Sequence, residues 1–179
     1  EKPATEALGY GFVAVGCSDF GAEMAFLTEE PPNNASATPV AAGISRLVAN
    51  NPGPMTYHGT NTYIVAAGAG CIVIDPGPSL AEHVDAILHA TQGRVDRIVL
   101  THRHLDHAGA APELKAATGA SLLAYPSAQP NSLQIDEELR QGDQVGEFEV
   151  FHTPGHAADH ICLVRKADGV IFSGDHVMT

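Results

Sequence analysis

Residues 70–125 alternate short apolar strands with helical segments, and this order restricts the fold more than any other feature of the sequence. The apolar run at 70–75 is followed by a helical pattern, by "RVDRIVLTH", by "GAAPELKAATG" and by "SLLAY". The strand in "RVDRIVLTH" is short and apolar enough to be buried. Strand, helix, strand, helix and strand in succession predict right-handed crossover connections within one sheet.

The first helical pattern is "SLAEHVDAILHATQ", which predicts a helix over residues 80–91. Its four large apolar residues share one face of a helix; they are Leu80, Val84, Ile87 and Leu88. Ser79 followed three residues later by Glu82 predicts a capping box at its start. The second helix is expected to end at Gly119.

Hairpins are predicted on both sides of this region. Strands near 43–49 and 61–66 are punctuated by Gly, Asn and Pro, as in antiparallel pairs. Two further hairpins follow residue 143, the second with a turn at 167–169. The fold class is therefore an α/β sandwich in one domain. Residues 1–39 are predicted to be an arm or irregular segment, and residues 40–179 the domain.

Charge and composition exclude several classes of protein. The formal net charge is -12 with nine Lys and Arg in 179 residues, so the backbone of a nucleic acid would be repelled. The three cysteines have no CxxC spacing, which indicates buried free thiols in a reducing compartment. No apolar run approaches the roughly 20 residues of a membrane span, and no secretory signal is visible. We expect a cytoplasmic protein without membrane contact.

The segment "THRHLDHAG" places three histidines and an aspartate at the end of a predicted strand. Ligand-binding loops in α/β sheets tend to lie at this end of the strands. His102 and His104 are two residues apart, so in extended chain they face one side while Arg103 turns away. Asp106 and His107 follow where the chain bends into the next helix. They approach the site from a different direction than His102 and His104, and a carboxylate beside an imidazole suits a second divalent ion.

Further ligands are expected because a catalytic zinc ion usually has three protein ligands. "TPGH" and "SGDH" each follow a predicted strand and supply His156 and Asp175. We assign His102, His104 and His156 to one ion, and Asp106, His107 and Asp175 to the other. Zinc is the first choice, and two ions are expected, but iron or manganese accept similar ligands. His58, His152, His160 and His176 are expected not to be ligands.

Taken together, "HRHLDH", "TPGH", "SGD" and the upstream "VIDPG" resemble the metallo-β-lactamase superfamily. The segments "NPGPMTYHGTNTYIV" and "TPGHAADHICLV" resemble its branch containing β-lactamase-like protein 2, with glyoxalase II more distant. The resemblance covers residues 40–179. It implies an αββα sandwich with the metal site at one edge of two sheets.

The family pattern continues beyond "GDHVM", where this sequence stops at Thr179. The resemblance implies further sheet, one more histidine ligand for the second ion and, in this branch, a C-terminal helical region. We therefore expect a fragment with an incomplete fold and a more labile second metal position.

A water shared by two ions would lose its proton near neutral pH and act as the nucleophile, oriented by Asp106 as the catalytic carboxylate. The expected function is metal-dependent hydrolysis of a small ester, thioester or lactone-like substrate. Cleavage of single-stranded RNA is an alternative implied by the resemblance. A folded metal-binding fragment without activity is another. The oligomeric state stays open.

Overall fold

The computed structural model describes residues 31–127 and 133–176. The elements are β1 Thr38–Ala41, β2 Ile44–Val48, β3 Asn61–Ala67, β4 Gly70–Ile74, α1 Ala81–Thr91, β5 Val95–Val99, α2 Leu105–Ala108, α3 Ala111–Thr118, β6 Ser121–Ala124, β7 Glu137–Glu138, β8 Gln144–Val145, β9 Phe148–His152, β10 Ile161–Arg165, β11 Val170–Phe172 and a 3₁₀ turn Gly174–His176. The boundary predicted at residue 40 falls inside β1, and the division into arm and domain stays a prediction.

Two sheets form the frame of the described residues. The first has the order β1-β2-β3-β4-β5-β6-β7, and the second the order β11-β10-β9-β8. Strands β1 to β4 pair antiparallel, whereas β4, β5, β6 and β7 pair parallel. The predicted hairpins and the parallel strand-helix-strand region are thus confirmed. All four strands of the second sheet pair antiparallel.

Alternation along the strands separates two apolar layers. On β4, Val73 packs with the helices, whereas Ile72 and Ile74 pack toward the second sheet. Successive side chains of a strand point to opposite faces, so a strand covered on both sides is apolar throughout. The result is a layered arrangement of helices, first sheet and second sheet, which confirms the mixed α/β fold class.

The first helix confirms the prediction except at its start. It begins at Ala81 with Leu80 as N-cap, and no side chain caps it. The carbonyl of Leu80 accepts hydrogen bonds from the amides of both His83 and Val84 at 3.0 Å, so Ser79 lies one position too early to cap. The predicted capping box is therefore wrong. At the end of α3, Gly119 adopts φ 73° and stops the helix as expected.

The predicted second helix is α3, within the expected range, and a short helix that was not predicted, α2, precedes it. The short α2 starts at Leu105 and packs on the chain after β4, with the Gly77 amide donating to the His107 carbonyl at 3.0 Å. A Cβ atom at Gly109 would lie 2.5 Å from the Leu105 carbonyl oxygen and 2.8 Å from the Ser79 nitrogen. Only glycine allows this close approach.

Two smaller expectations can be compared directly. Cys71 and Cys162 are buried free thiols, as predicted, while Cys17 lies outside the described residues. Within residues 31–127 and 133–176, no helix has the length and apolar character that a membrane span requires.

Candidate metal centre

The site residues collect at one edge of the two sheets. His102 and His104 follow β5, and α2 carries Asp106 and His107. The connection from β9 to β10 carries His156, and the 3₁₀ turn after β11 carries Asp175. The fold therefore brings together all six residues that the sequence predicted, from three separate segments of the chain.

The first group contains three imidazole rings and one carboxylate. His102 Nε2 lies 3.0 Å from His104 Nδ1, and His156 Nε2 lies 2.9 Å from the same Nδ1. Asp175 Oδ2 lies 3.4 Å from His156 Nε2 and 4.0 Å from His102 Nε2. Each of the four residues offers one ligand atom, and these four atoms all lie within 4.8 Å of one another.

The second group contains Asp106, His107 and again Asp175. His107 Nε2 lies 3.1 Å from Asp175 Oδ1 and 3.7 Å from Asp106 Oδ2. The two oxygens of Asp175 thus face different groups. This carboxylate connects them.

Two residues outside the predicted set orient the histidine rings. Asp75 Oδ2 accepts a hydrogen bond from the Thr101 hydroxyl at 2.7 Å and lies 3.0 Å from His107 Nδ1. Since the Thr101 hydroxyl donates its proton to Asp75, the Thr101 oxygen accepts a hydrogen bond from His102 Nδ1 at 3.1 Å. Both rings therefore carry a proton on Nδ1, and Nε2 is the nitrogen that each ring turns toward the ligand groups.

Asp75 itself is buried at 3% exposure and held in an unusual conformation. Its φ is +49°, and its Oδ1 accepts from the Thr101 backbone amide at 2.8 Å. A non-glycine residue with positive φ persists only where its surroundings fix it, and such residues concentrate at functional sites. Sequence reasoning noted Asp75 only within "VIDPG" and missed Thr101. The available signal was that both residues follow buried strands at the same edge.

The charges around the site favour a cation. Burial by itself lowers the pKa of His107, but the Asp75 charge and the hydrogen bonds to Asp175 and Asp75 raise it to about 10. Burial and the neighbouring His107 lower the pKa of His102 to about 3. Burial alone would raise the pKa of Asp175, yet the His107 hydrogen bond and charge lower it to about 2. The second group thus already attracts a positive charge, a proton on His107, which a bound cation would have to replace, whereas the His102 ring is neutral and ready to bind.

The donor set fits divalent ions. Zinc binds imidazole nitrogen at about 2.0–2.1 Å, so tetrahedral ligands lie about 3.3 Å apart. The nitrogen separations of 2.9 and 3.0 Å in the first group approach this value. Neutral imidazoles with carboxylates suit zinc, iron and manganese alike.

The other histidines have different partners. His152 Nε2 lies 3.0 Å from the Ala158 carbonyl oxygen, and its ring stacks on Tyr125 at 3.9 Å. His160 is fully buried, with Nδ1 2.9 Å from the Thr153 hydroxyl, and the His176 ring lies 5.8 Å from it. None of these three rings belongs to either candidate ligand group.

Comparison with known proteins supports the resemblance. The family described as the metallo-beta-lactamase superfamily matches residues 55–179. The lactamase-like protein aptB of Emericella nidulans is 33% identical over 82% of this chain and 49% of its own length. An atrochrysone carboxyl ACP thioesterase of Aspergillus chevalieri is 35% identical over 75% of this chain and 46% of its own. The chain spans about half the length of the curated relatives it matches.

Solved structures show the same fold. A metallo-beta-lactamase of Cronobacter sakazakii with a HARLDQ motif has a TM-score of 0.58 at 21% identity, covering 72% of this chain and 58% of that one. TTHA1623, solved in a di-iron-bound form, has a TM-score of 0.55 at 29% identity, covering 64% and 66% respectively.

Proposed function

This chain belongs to the metallo-β-lactamase superfamily, and from that premise we propose that it is a metal-dependent hydrolase of small thioesters or esters. The observation that carries the proposal is the convergence of three imidazole rings. His102 Nε2 and His156 Nε2 both lie within 3.0 Å of His104 Nδ1. His102, His104 and His156 would hold one ion; Asp106, His107 and Asp175 would hold the other.

Zinc is the proposed metal, with iron the main alternative because a structural relative is known in a di-iron-bound form. Bound divalent ions lower the pKa of water and polarise the oxygen of a scissile carbonyl. The protein's own contribution is orientation, since Asp75 and Thr101 fix the rings of His107 and His102.

Asp106 is the proposed catalytic carboxylate. Its side chain is 37% exposed, so it can reach both the centre and an incoming substrate. One oxygen would orient the attacking water and take its proton, and the carboxyl group would then return that proton to the departing thiolate or alkoxide.

The proposed substrate class rests on two observations. Four relatives are named atrochrysone carboxyl ACP thioesterase, which makes a thioester the first choice. Leu105 lies between His104 and Asp106 in the chain and is 80% exposed, so it offers an apolar contact to an acyl group beside the centre. The net charge of -12 disfavours RNA.

Elemental analysis followed by a substrate panel tests the proposal. The panel contains acyl thioesters, esters, lactones, a β-lactam and single-stranded RNA. We expect up to two ions per chain and thioester hydrolysis that is lost on chelation and restored by zinc. His104→Ala should lose metal and activity, while His89→Ala, at an exposed helix position, should keep both. Hydrolysis of RNA alone would overturn the substrate class, and metal binding without turnover would leave only a metal-binding module.

A further inference from the structure

We propose that Arg103 is a positioning residue that holds the segment carrying His156 against the turn carrying His102 and His104. This inference rests on the metal site proposed above. It concerns the residue between the two histidines of "HRH", to which the proposed reaction gives no role.

Arg103 turns away from the ligand groups into a nearly enclosed setting. Its side chain is 13% exposed, and Nε lies 3.3 Å from Oδ2 of Asp159, whose side chain is 11% exposed. Another nitrogen of the guanidinium, Nη2, donates a hydrogen bond to the Tyr125 carbonyl at 2.8 Å. One guanidinium thus joins three segments: the ligand turn, the end of β6 and the connection from β9 to β10.

Asp159 belongs to the same connection as His156. Within residues 153–160 the backbone bonds mostly to itself, as in Thr153 to His160 at 2.9 Å and His160 to Ala157 at 3.3 Å. At its far end the Ile161 amide donates to the Thr101 carbonyl at 2.8 Å. Between these points His156 is exposed, and the Arg103 to Asp159 ion pair ties the connection to the ligand turn beside it.

The planar fork of arginine explains the choice of residue. Its Nε lies 3.3 Å from a carboxylate oxygen on the β9 to β10 connection, while its Nη2 donates to a carbonyl at the end of β6. A lysine ammonium keeps the charge but is a single point on a flexible stem, so it cannot keep both contacts. The position of His156 Nε2, 2.9 Å from His104 Nδ1, would then become less defined.

The test compares Arg103→Lys and Asp159→Asn with a matched control, Arg165→Lys. Arg165 is another enclosed arginine, paired through two nitrogens with Asp168 at 2.9 and 2.7 Å, and it lies on β10 at the turn into β11. Zinc affinity is measured by chelator competition, ligand geometry by the visible spectrum of the cobalt(II)-loaded protein, and folding by denaturant unfolding of the metal-free protein.

We expect Arg103→Lys and Asp159→Asn each to weaken zinc binding about 10- to 100-fold and to alter the cobalt(II) spectrum. The double variant should lose less than the sum of the two single losses, because both variants weaken the shared ion pair between Arg103 and Asp159. Arg165→Lys should lower the unfolding midpoint with affinity and spectrum unchanged. The proposal would be wrong if Arg103→Lys kept the wild-type zinc affinity and cobalt(II) spectrum. It would also be wrong if Arg165→Lys lost as much zinc affinity, because Arg103 would then be only a structural residue. A wild-type protein that binds no metal would overturn the proposed function as well, so the two failures are distinguishable.

Discussion

The Asp75 carboxylate lies 3.0 Å from Nδ1 of His107, so an aspartate at the end of β4 orients a histidine 32 residues later on α2. The same carboxylate accepts both the hydroxyl and the backbone amide of Thr101, at 2.7 and 2.8 Å. The ring orientations at the candidate centre therefore depend on a residue that belongs to neither ligand group.

Asp75→Asn should weaken metal binding about 10- to 100-fold. The asparagine amide can donate as well as accept, so the protonation of His107 Nδ1 would no longer be enforced. Zinc titration of the metal-free protein measures the change. Asp96→Asn, at an exposed position of β5, is the control and should bind zinc as the wild type does.

Thr101 offers a sharper comparison because two substitutions separate shape from hydrogen bonding. Thr101→Val keeps the shape but leaves His102 Nδ1 without its acceptor, and we expect about tenfold weaker zinc binding. Thr101→Ser keeps the hydroxyl and should stay close to the wild type. Equal affinity in the two variants would contradict the orienting role.

Leu105→Ser should change substrate preference without changing stability. The side chain is 80% exposed, so its removal costs little folding free energy. We expect KM to rise about tenfold for thioesters with long apolar acyl groups and to stay unchanged for an acetyl thioester, with kcat preserved for both. A uniform effect across acyl lengths would show that Leu105 does not contact the acyl group.

His83 should make the stability of the metal-free protein depend on pH. It is 1% exposed, and burial lowers its pKa from 6.5 to about 4. Between pH 6.5 and 4, His83 is protonated in the unfolded chain but neutral in the folded protein. The free energy of unfolding therefore falls as the pH drops toward 4.

The Thr62 hydroxyl donates to the Asp75 carbonyl, so the bond between His83 Nε2 and Thr62 Oγ1, at 2.9 Å, needs the histidine as donor. His83→Gln can keep that donor without titrating. Between pH 7 and 4.5 the wild type should lose roughly 2 to 3 kcal/mol more than His83→Gln. Chemical denaturation with chelator present measures this, and parallel pH profiles would refute it.

Local patterns in the sequence predicted most of the frame and the convergence of the site residues. Alternation and helical periodicity located the strands and α1, because they report which face of an element is buried. The two-residue spacing of His102 and His104 anticipated that their side chains meet, at 3.0 Å in the structure. Their role as ligands stays a prediction.

Contacts across the chain could not be predicted in the same way. Thr101 and Asp75 are 26 residues apart in the chain. Arg103, in the turn after β5, pairs with Asp159, in the connection from β9 to β10. Periodicity gives the direction of a side chain but not its partner. The close packing of Gly109 against the backbone of Pro78 and Ser79 is another contact that local patterns do not report.

Asp175 directs Oδ1 toward His107 and Oδ2 toward His156. In the proposed centre Asp175 would hold the second ion, while its other oxygen lies 3.4 Å from a ligand of the first. Filling one position would then change the free energy of filling the other, and thermodynamic linkage would make that influence reciprocal and equal in size. The affinities of the two positions should accordingly be measured jointly.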